Sequence, residues 1–537
     1  MKTEARAHPA SPPLPLLSAW LCRVLELQPD ARALHFSGTD HPWSYFARAR
    51  DDLDALLRPY PQARRVGIVL RNRPGPLAAA LAAVATGRQV VTLGPYSGDA
   101  ALAEEIAELR PDAVIADAED WARTGVTEAV RGIGAVAALC AHDRAIQRRS
   151  TEWTAAPACL PMEDTALSMT TSGTTGKPKR ITLTYTQITA AFSAAGSSFG
   201  DTEGPKLRKG TVILWSSLTH ISGLYFAIVH ALEGRHVALM EKFDVTGWVG
   251  LVERFRPRFL RLPPTAIRMV LQAGLPPETF HGVRAIGSGT APLSPELRDE
   301  FEQRYNVPVL VTYGATEFAG AVAGWTLADH REWSARKRGS VGRAHPGVEL
   351  RVVEPESGRS LTAGQTGLLE VRGPQLPAGA ETWIRTTDLA SLDEDGFLYI
   401  HGRADQAINR GGFKIPPTVI EDALHCHEAV SDAIAVALPD DRLGEVPAAA
   451  VTLCAPATED ELHDHLAARL TRYQMPVLLR ILEQMPRTSS LKISRRHVSE
   501  ELLAARDDAA PATGPTNETP SAPRRGQPPA PTTGGPA

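Results

Sequence analysis

The apolar-rich stretch Leu16–Leu27 predicts a helix packed on a domain, after a loose proline-rich start. Ala33–Phe36 and Trp43–Tyr45 read as short strands, with Ser44 able to cap a helix running through Leu57. Arg65–Leu70 has a β-branched core and predicts a strand; the Asn72–Pro76 turn, the alanine-rich helix Leu77–Ala85 and the strand Gln89–Leu93 follow. Leu102–Leu109 and Ala113–Ala116 repeat that alternation, which argues for a parallel α/β sheet. Leu167–Met169 then leads into a loop, and open sheets place ligands beyond the C-terminal ends of strands. Thr186–Phe199 and His220–Leu232 predict helices. Thr211–Trp215, Val237–Leu239, Phe259–Leu262, Ala285–Ile286 and Val309–Thr312 predict the strands of a second α/β lobe. From Ser340 to Ile400 short strands such as Glu349–Val353 and Gly367–Val371 alternate with Gly and Pro, giving a small β-rich unit. Val419–His425, Ala433–Ala437, Ala448–Leu453 and Glu459–Arg472 suggest a compact α+β domain.

The expected fold class is therefore α/β: a large N-terminal domain of two α/β lobes plus a small β-rich unit, then a small mobile α+β C-terminal domain. The expected boundaries are 14–403, 404–503 and a disordered tail rich in Pro, Ala and Thr at 507–537. Over 537 residues, 43% hydrophobic and 22% charged, the composition is that of an ordinary soluble protein. Lys plus Arg number 57 against 61 for Asp plus Glu, a net charge of −4, which argues against a general nucleic-acid binder. Cys22, Cys140, Cys159, Cys426 and Cys454 form no Cys-x-x-Cys pair, so neither a zinc knuckle nor a disulfide framework is indicated. The longest apolar runs are too short to span a bilayer, and Met1–Pro15 lacks a signal-peptide core. The expected location is cytoplasmic. His425, Cys426, His427, His463 and His465 read as surface residues rather than a metal site.

The chemistry centres on Thr170–Arg180, Thr-Thr-Ser-Gly-Thr-Thr-Gly-Lys-Pro-Lys-Arg. Its glycines let the backbone curl N–H groups toward one point, and hydroxyls with Lys177 and Lys179 add donors for phosphate oxygens. Walker A spacing is absent: only Thr174 and Thr175 separate Gly173 from Gly176, and Pro178 follows Lys177. An exposed turn is the alternative. The stretch resembles the phosphate-binding loop of the adenylate-forming superfamily, which includes acyl- and aryl-CoA ligases, nonribosomal adenylation domains and luciferases. Arg180 stands where that family usually has glycine.

Five further stretches match the same pattern in the family's order. Tyr313-Gly314-Ala315-Thr316-Glu317 resembles the segment whose tyrosine stacks on adenine, whose threonine contacts phosphate and whose glutamate helps hold Mg²⁺; hard oxygen ligands suit that ion. Gly287-Ser288-Gly289-Thr290-Ala291-Pro292 resembles the adenine-side loop. Asp388 matches the aspartate that takes both ribose hydroxyls, which one carboxylate can do; Thr387 replaces a usual glycine, and the segment Gln375–Thr382 is short for the family. Gly402-Arg403-Ala404-Asp405-Gln406 resembles the hinge, with Arg403 reaching ribose or phosphate and Asp405 as the swivel. Gly411 and Gly412 correspond to glycines lining a tunnel for a pantetheine thiol; a glycine turn is the plain alternative. Lys492, in Pro486–Arg496, corresponds to the lysine bridging the substrate carboxylate and the α-phosphate, with Leu491 in place of a usual glycine. His220, in Thr219–Gly223, resembles the acyl-pocket residue that gates substrate or helps the second half-reaction.

The resemblance implies an ATP-dependent acid ligase using Mg²⁺ that forms an acyl-adenylate, with Thr171, Lys177, His220 and Lys492 as catalytic residues. ATP or AMP would be held by Thr170, Ser172, Gly173, Thr174, Thr175, Gly176, Lys179, Gly289, Thr290, Ala291, Tyr313, Gly314, Thr316, Asp388 and Arg403, with the metal at Glu317. CoA is the first-choice acceptor; a carrier-protein phosphopantetheine or an amine are alternatives. Leu218–Gly223 lacks the aspartate that would pair an α-ammonium, which favours a simple aromatic or aliphatic carboxylic acid. A P-loop ATPase or kinase and a non-catalytic nucleotide-binding relative are the rival readings.

Overall fold

The computed structural model describes residues 14–140, 146–149, 164–171, 179–194, 196, 203–377, 379, 381–488 and 492–509. A seven-stranded sheet runs in the order Gln147–Arg148, Val136–Leu139, Ala113–Ala116, Arg65–Val69, Gln89–Leu93, Thr165–Thr171, Lys179–Thr184. Its inner pairs are parallel and its two outermost pairs antiparallel. The helix Pro74–Ala85 is buried along its whole length, as its nearly unbroken Ala/Leu composition dictates, and begins at a proline preset for a first helical turn. It therefore takes in the end of the predicted Asn72–Pro76 turn.

The second lobe contains two sheets. One is ordered Arg208–Leu214, Arg235–Leu239, Arg32–Phe36, Thr39–Pro42; the other Phe259–Arg261, Ala285–Ser288, Val309–Ala315, Gly320–Gly324, Arg343–Ala344. The N-terminal strand Arg32–Phe36 thus pairs with Arg235–Leu239. A four-stranded antiparallel sheet, Glu349–Val353, Gly367–Arg372, Ile384–Leu392, Leu398–Arg403, forms the predicted β-rich unit. Beyond it, Gly444–Leu453 is the central strand of a last sheet with Val430–Asp440 along its edge, packed by the helices Pro417–His425, Glu459–Ala467 and Arg495–Ala509. The mixed α/β architecture with a large N-terminal and a smaller C-terminal domain agrees with the expectation.

Two local expectations are corrected. Trp43–Tyr45 is the first turn of the helix Trp43–Leu57, not a strand, because Trp43, Phe46, Ala49, Leu53 and Leu57 bury one helical face. Pro42 rather than Ser44 precedes that helix, and no side chain caps it. The strand lies just upstream, where Ser37 and Gly38 at φ 46° and 86° turn Phe36 back onto Thr39 in a two-residue hairpin. The last helix, Arg495–Ala509, also takes in the first residues of the predicted tail; 510–537 lie outside the described residues.

Among the described residues, no helix is long and apolar enough to cross a membrane.

Candidate active site

The strand Thr165–Thr171 carries Thr170 and Thr171 at its end, and Lys179 opens the returning strand opposite Thr171. Ser172, Gly173, Thr174, Thr175, Gly176 and Lys177 lie outside the described residues. Pro178 also lies outside the described residues, and the strand Lys179–Thr184 follows it in the chain.

Arg180, the departure from the family's glycine, pairs with Thr170 in this hairpin and turns its side chain into the sheet. It donates to the backbone oxygens of Ser168 and Thr92, both at 2.8 Å, and meets Glu105 at 2.7 Å. Burial lowers its pKa. The residue ties the hairpin to the helix Asp99–Leu109. Arg180→Gly should therefore lower stability by about 2–3 kcal/mol, because charged hydrogen bonds are lost and a half-buried Glu105 is stranded; the urea midpoint measures it, and an unchanged midpoint would contradict this tie.

The strand Val309–Ala315 delivers Tyr313, and the short helix Thr316–Phe318 holds Glu317 at its exposed edge. Tight backbone crossing shapes this corner. A Cβ on Gly314 would stand 2.2 Å from the Gly320 oxygen, and one on Gly289 would stand 2.7 Å from the Thr312 hydroxyl. Thr290 adopts φ 71°, costly for a β-branched residue, so the Gly289–Ala291 loop is held by its surroundings in a strained shape. Gln375, in the shortened segment, is buried and donates to the Phe318 and Ala321 oxygens at 3.0 Å, which anchors the trimmed loop to the same corner.

Asp388 and Arg403 face one another across the antiparallel strands Ile384–Leu392 and Leu398–Arg403. The Tyr313 hydroxyl donates to Asp388, and Arg403 lies 4.0 Å from the same carboxylate. Burial, then Asp388, pushes the Tyr313 pKa up; burial raises that of Asp388 against the opposing pull of Tyr313 and Arg403. Thr387, the other departure, accepts a 2.8 Å bond from Arg403, whose guanidinium also grips Asp405 at 2.7 and 2.9 Å. The hydroxyl thus helps aim Arg403. Glu317 stands near enough to act electrostatically on both Asp388 and Arg403.

Lys492 reaches this corner from the C-terminal domain. Burial lowers its pKa, the Arg403 charge adds to the effect, and Lys492 in turn acts on His220. Leu491 lies outside the described residues. Arg487 holds the incoming segment by donating to the Thr265 hydroxyl at 3.1 Å and pairing with Asp432, which also faces Arg268 at 3.4 Å. Gly411 and Gly412, at φ 58° and 93°, form the two-residue turn that pairs Arg410 with Phe413. Both central residues have φ above zero, the hairpin turn that glycine suits best.

His220 precedes the helix Ile221–Leu232, and Gly223 is the only residue type that fits the next turn: a Cβ there would stand 2.1 Å from the Ser217 oxygen. Burial lowers the His220 pKa to about 4, with Lys492 adding to it, and lowers those of His230 and His236 to about 3 and 4. An unfolded histidine titrates near about 6.5, so acid protonates the unfolded chain first. The stability these three contribute is whole above about pH 6.5 and is lost as pH falls toward 4. Asp422, raised by burial to about 6, works oppositely, one group against three. Urea midpoints at pH 7.5, 6 and 5 should fall in that order; a rising series would contradict it.

Two residues escaped the sequence reading. Asn72 is buried, shares its amide among the Trp215, Ser216 and Met240 oxygens at 3.1–3.2 Å, and accepts from the Leu218 N–H at 2.9 Å. It positions the Leu218–His220 turn from the other lobe; a polar residue in the turn after a buried strand was the available signal. Arg261 is exposed at the end of the strand Phe259–Arg261, with its guanidinium over the Phe226 ring, and an arginine amid Phe-Leu-Arg-Leu was its only mark.

A family model described as AMP-binding enzyme matches residues 22–379, and its C-terminal-domain companion matches 419–492. The chain belongs to the AMP-binding enzyme family. This AMP-binding enzyme is 30% identical over 354 residues to 4-coumarate–CoA ligase 2 of Oryza sativa subsp. japonica, a match spanning 62% of this chain and 61% of that relative's length. Two solved structures share the fold. ATP-bound MatB from Rhodopseudomonas palustris superposes with a TM-score of 0.77 at 23% identity, covering 92% of this chain and all of that one. The amide bond synthetase McbA from Marinactinospora thermotolerans gives 0.74 at 24% identity, covering 90% and 99%.

Proposed function

We propose that the protein is an ATP-dependent carboxylic acid ligase that makes an acyl-adenylate, releases pyrophosphate and passes the acyl group to a thiol, first of all CoA. The observation that carries this reading is Lys492, half-buried and brought from the C-terminal domain within electrostatic reach of Arg403 and His220. A cation there offsets the repulsion between an acid's carboxylate and the α-phosphate and stabilises charge developing in the transition state. The carboxylate attacks the α-phosphorus in line, and pyrophosphate leaves without a covalent enzyme intermediate.

Tyr313 and the Gly289–Ala291 loop would hold adenine, and Asp388 would take the ribose hydroxyls. The Tyr313–Asp388 hydrogen bond fits that role, because the half-buried carboxylate already accepts a hydrogen bond from a hydroxyl. Thr170–Lys179 would cradle the phosphates together with Thr316. Glu317, exposed beside Asp388 and Arg403, suits Mg²⁺, which keeps waters and binds through one or two carboxylates plus phosphate; when bound it would supply charge neutralisation. His220 is neutral at pH 7, so it can line the acid's path without competing with Lys492 for the anion.

For the second half-reaction the small domain, 404–503, would turn about Asp405 on the body, 14–403. The Gly411–Gly412 turn would then line the thiol's path. The rice relative's name supports CoA as acceptor, and the name of McbA supports an amine as the second choice. A panel of aromatic and aliphatic acids with ATP, repeated with CoA, a carrier protein and amines, tests the reading. Acid-dependent AMP and pyrophosphate with a CoA thioester is the expected result; ADP as product would sink it.

A further inference from the structure

Arg261 ends the strand Phe259–Arg261 and is paired in register with Gly287, two residues before the Gly289 loop. Its guanidinium lies 3.5 Å over the Phe226 ring, and the Cβ position of Gly287 is 3.7 Å from its Nη1. Phe226 stacks on His230, whose Nδ1 is buried without a hydrogen-bond partner. Solvent reaches Arg261, yet enough protein surrounds it to lower its pKa to about 10. Both hold for a side chain on the wall of a concave cleft.

The charge there has no counter-ion. Among the described residues no carboxylate pairs with Arg261; Glu233, which follows the helix that carries Phe226, is bonded to Arg235 at 2.5 Å. Tyr225, the neighbouring phenol, donates to the Ala191 oxygen. His230 is kept neutral by burial and by the arginine itself. Held by Phe226 on one side and open to solvent on the other, the guanidinium keeps its donors available to a ligand. A guanidinium in such a place matches the planar, bidentate geometry of a carboxylate.

We infer that Arg261 is the receptor for a second anionic group, a carboxylate, at the far end of the acid substrate. The inference rests on the acid-ligase reading above and names its substrate class. Position sets the length. Phe226, beneath Arg261, lies six residues beyond His220, the residue that precedes the helix Ile221–Leu232 near Lys492, a span on the order of 9 Å at the α-helical rise. The substrate is then a dicarboxylic acid whose carboxylates lie about 7–10 Å apart, with an aromatic or extended aliphatic spacer lying along Phe226. Lys492 takes the reacting carboxylate and Arg261 the distal one.

Matched acid pairs test this: suberate against octanoate, and 4-carboxycinnamate against 4-methylcinnamate. In acid-dependent pyrophosphate release, the wild type should favour each diacid in kcat/KM by at least about tenfold. Arg261→Met, which keeps an unbranched side chain on Phe226, should cut that preference about a hundredfold, and Arg261→Lys should keep part of it. Preference for the monoacids in the wild type, or a ratio that Arg261→Met leaves in place, overturns the inference while the ligase reading stands. Calorimetric titration of 4-carboxycinnamate into the AMP-loaded protein decides it even if no acid is turned over. Binding weakened about a hundredfold by Arg261→Met is expected; equal binding by both proteins overturns it.

Discussion

Lys492→Ala should lower acid-dependent adenylation by about 10²–10³-fold while the protein stays at least as stable as the wild type. The two effects share one cause. Lys492 holds an ammonium in a desolvated position beside the like charge of Arg403, so the folded protein bears a cost that is recovered only when an anion arrives. Removing the ammonium removes the cost and the transition-state stabilisation together, the trade expected where function opposes stability. ATP affinity should change much less, because Tyr313 and Asp388 are untouched. Initial rates of pyrophosphate release, a thermal midpoint and an ATP titration separate the three quantities. A variant that loses ATP affinity as much as rate would make Lys492 a ground-state binding residue instead.

Gly314→Ala should be the most damaging small substitution in the corner. The added methyl would stand 2.2 Å from the Gly320 oxygen and 2.5 Å from the Ala321 Cα, both backbone atoms of the paired strand. No rotamer relieves that contact, so the strands must separate. The expected cost is about 3 kcal/mol or more, with loss of ATP binding as Tyr313 and Thr316 shift. Gly412→Ala is the natural comparison: its φ of 93° carries strain, but a Cβ there meets nothing within 4 Å. It should cost only about 1 kcal/mol. Urea denaturation of the pair reads the difference directly; equal losses would mean that backbone crowding at Gly314 is not what shapes the corner.

Much of the architecture is written locally. Arg65–Val69, Gln89–Leu93 and Ala113–Ala116 are buried strands whose runs of β-branched and small apolar residues announce them, and the alanine-rich helix between the first two has no polar face to present. The motif residues Tyr313, Asp388, Arg403 and Lys492 were also visible, because each sits in a short stretch with its own composition. Their convergence was not: it depends on pairing Asp388 with Arg403 across a sheet and on docking a domain that begins after the last of these strands.

What stayed hidden is non-local. Nothing in Arg32–Phe36 says that its partner is Arg235–Leu239, about two hundred residues on. Asn72 read as part of a turn, yet its four bonds all go to the opposite lobe. Arg261 lay unremarked inside the predicted strand Phe259–Leu262, and its register with Gly287 and its place over Phe226 appear only in the fold. Arg180 and Thr387 looked like defects in a family pattern and proved to be held by definite partners, Glu105 and Arg403. In each case the side chain's meaning lies in a contact made from a distant segment.

The central claim is that a carboxylate oxygen attacks the α-phosphorus. An acid labelled with ¹⁸O in its carboxylate, incubated with ATP and Mg²⁺ and an acceptor, tests it most directly by mass spectrometry of the nucleotide. The account predicts one labelled oxygen in the phosphate of AMP, released with unlabelled pyrophosphate. AMP without label, or ADP in its place, would contradict it.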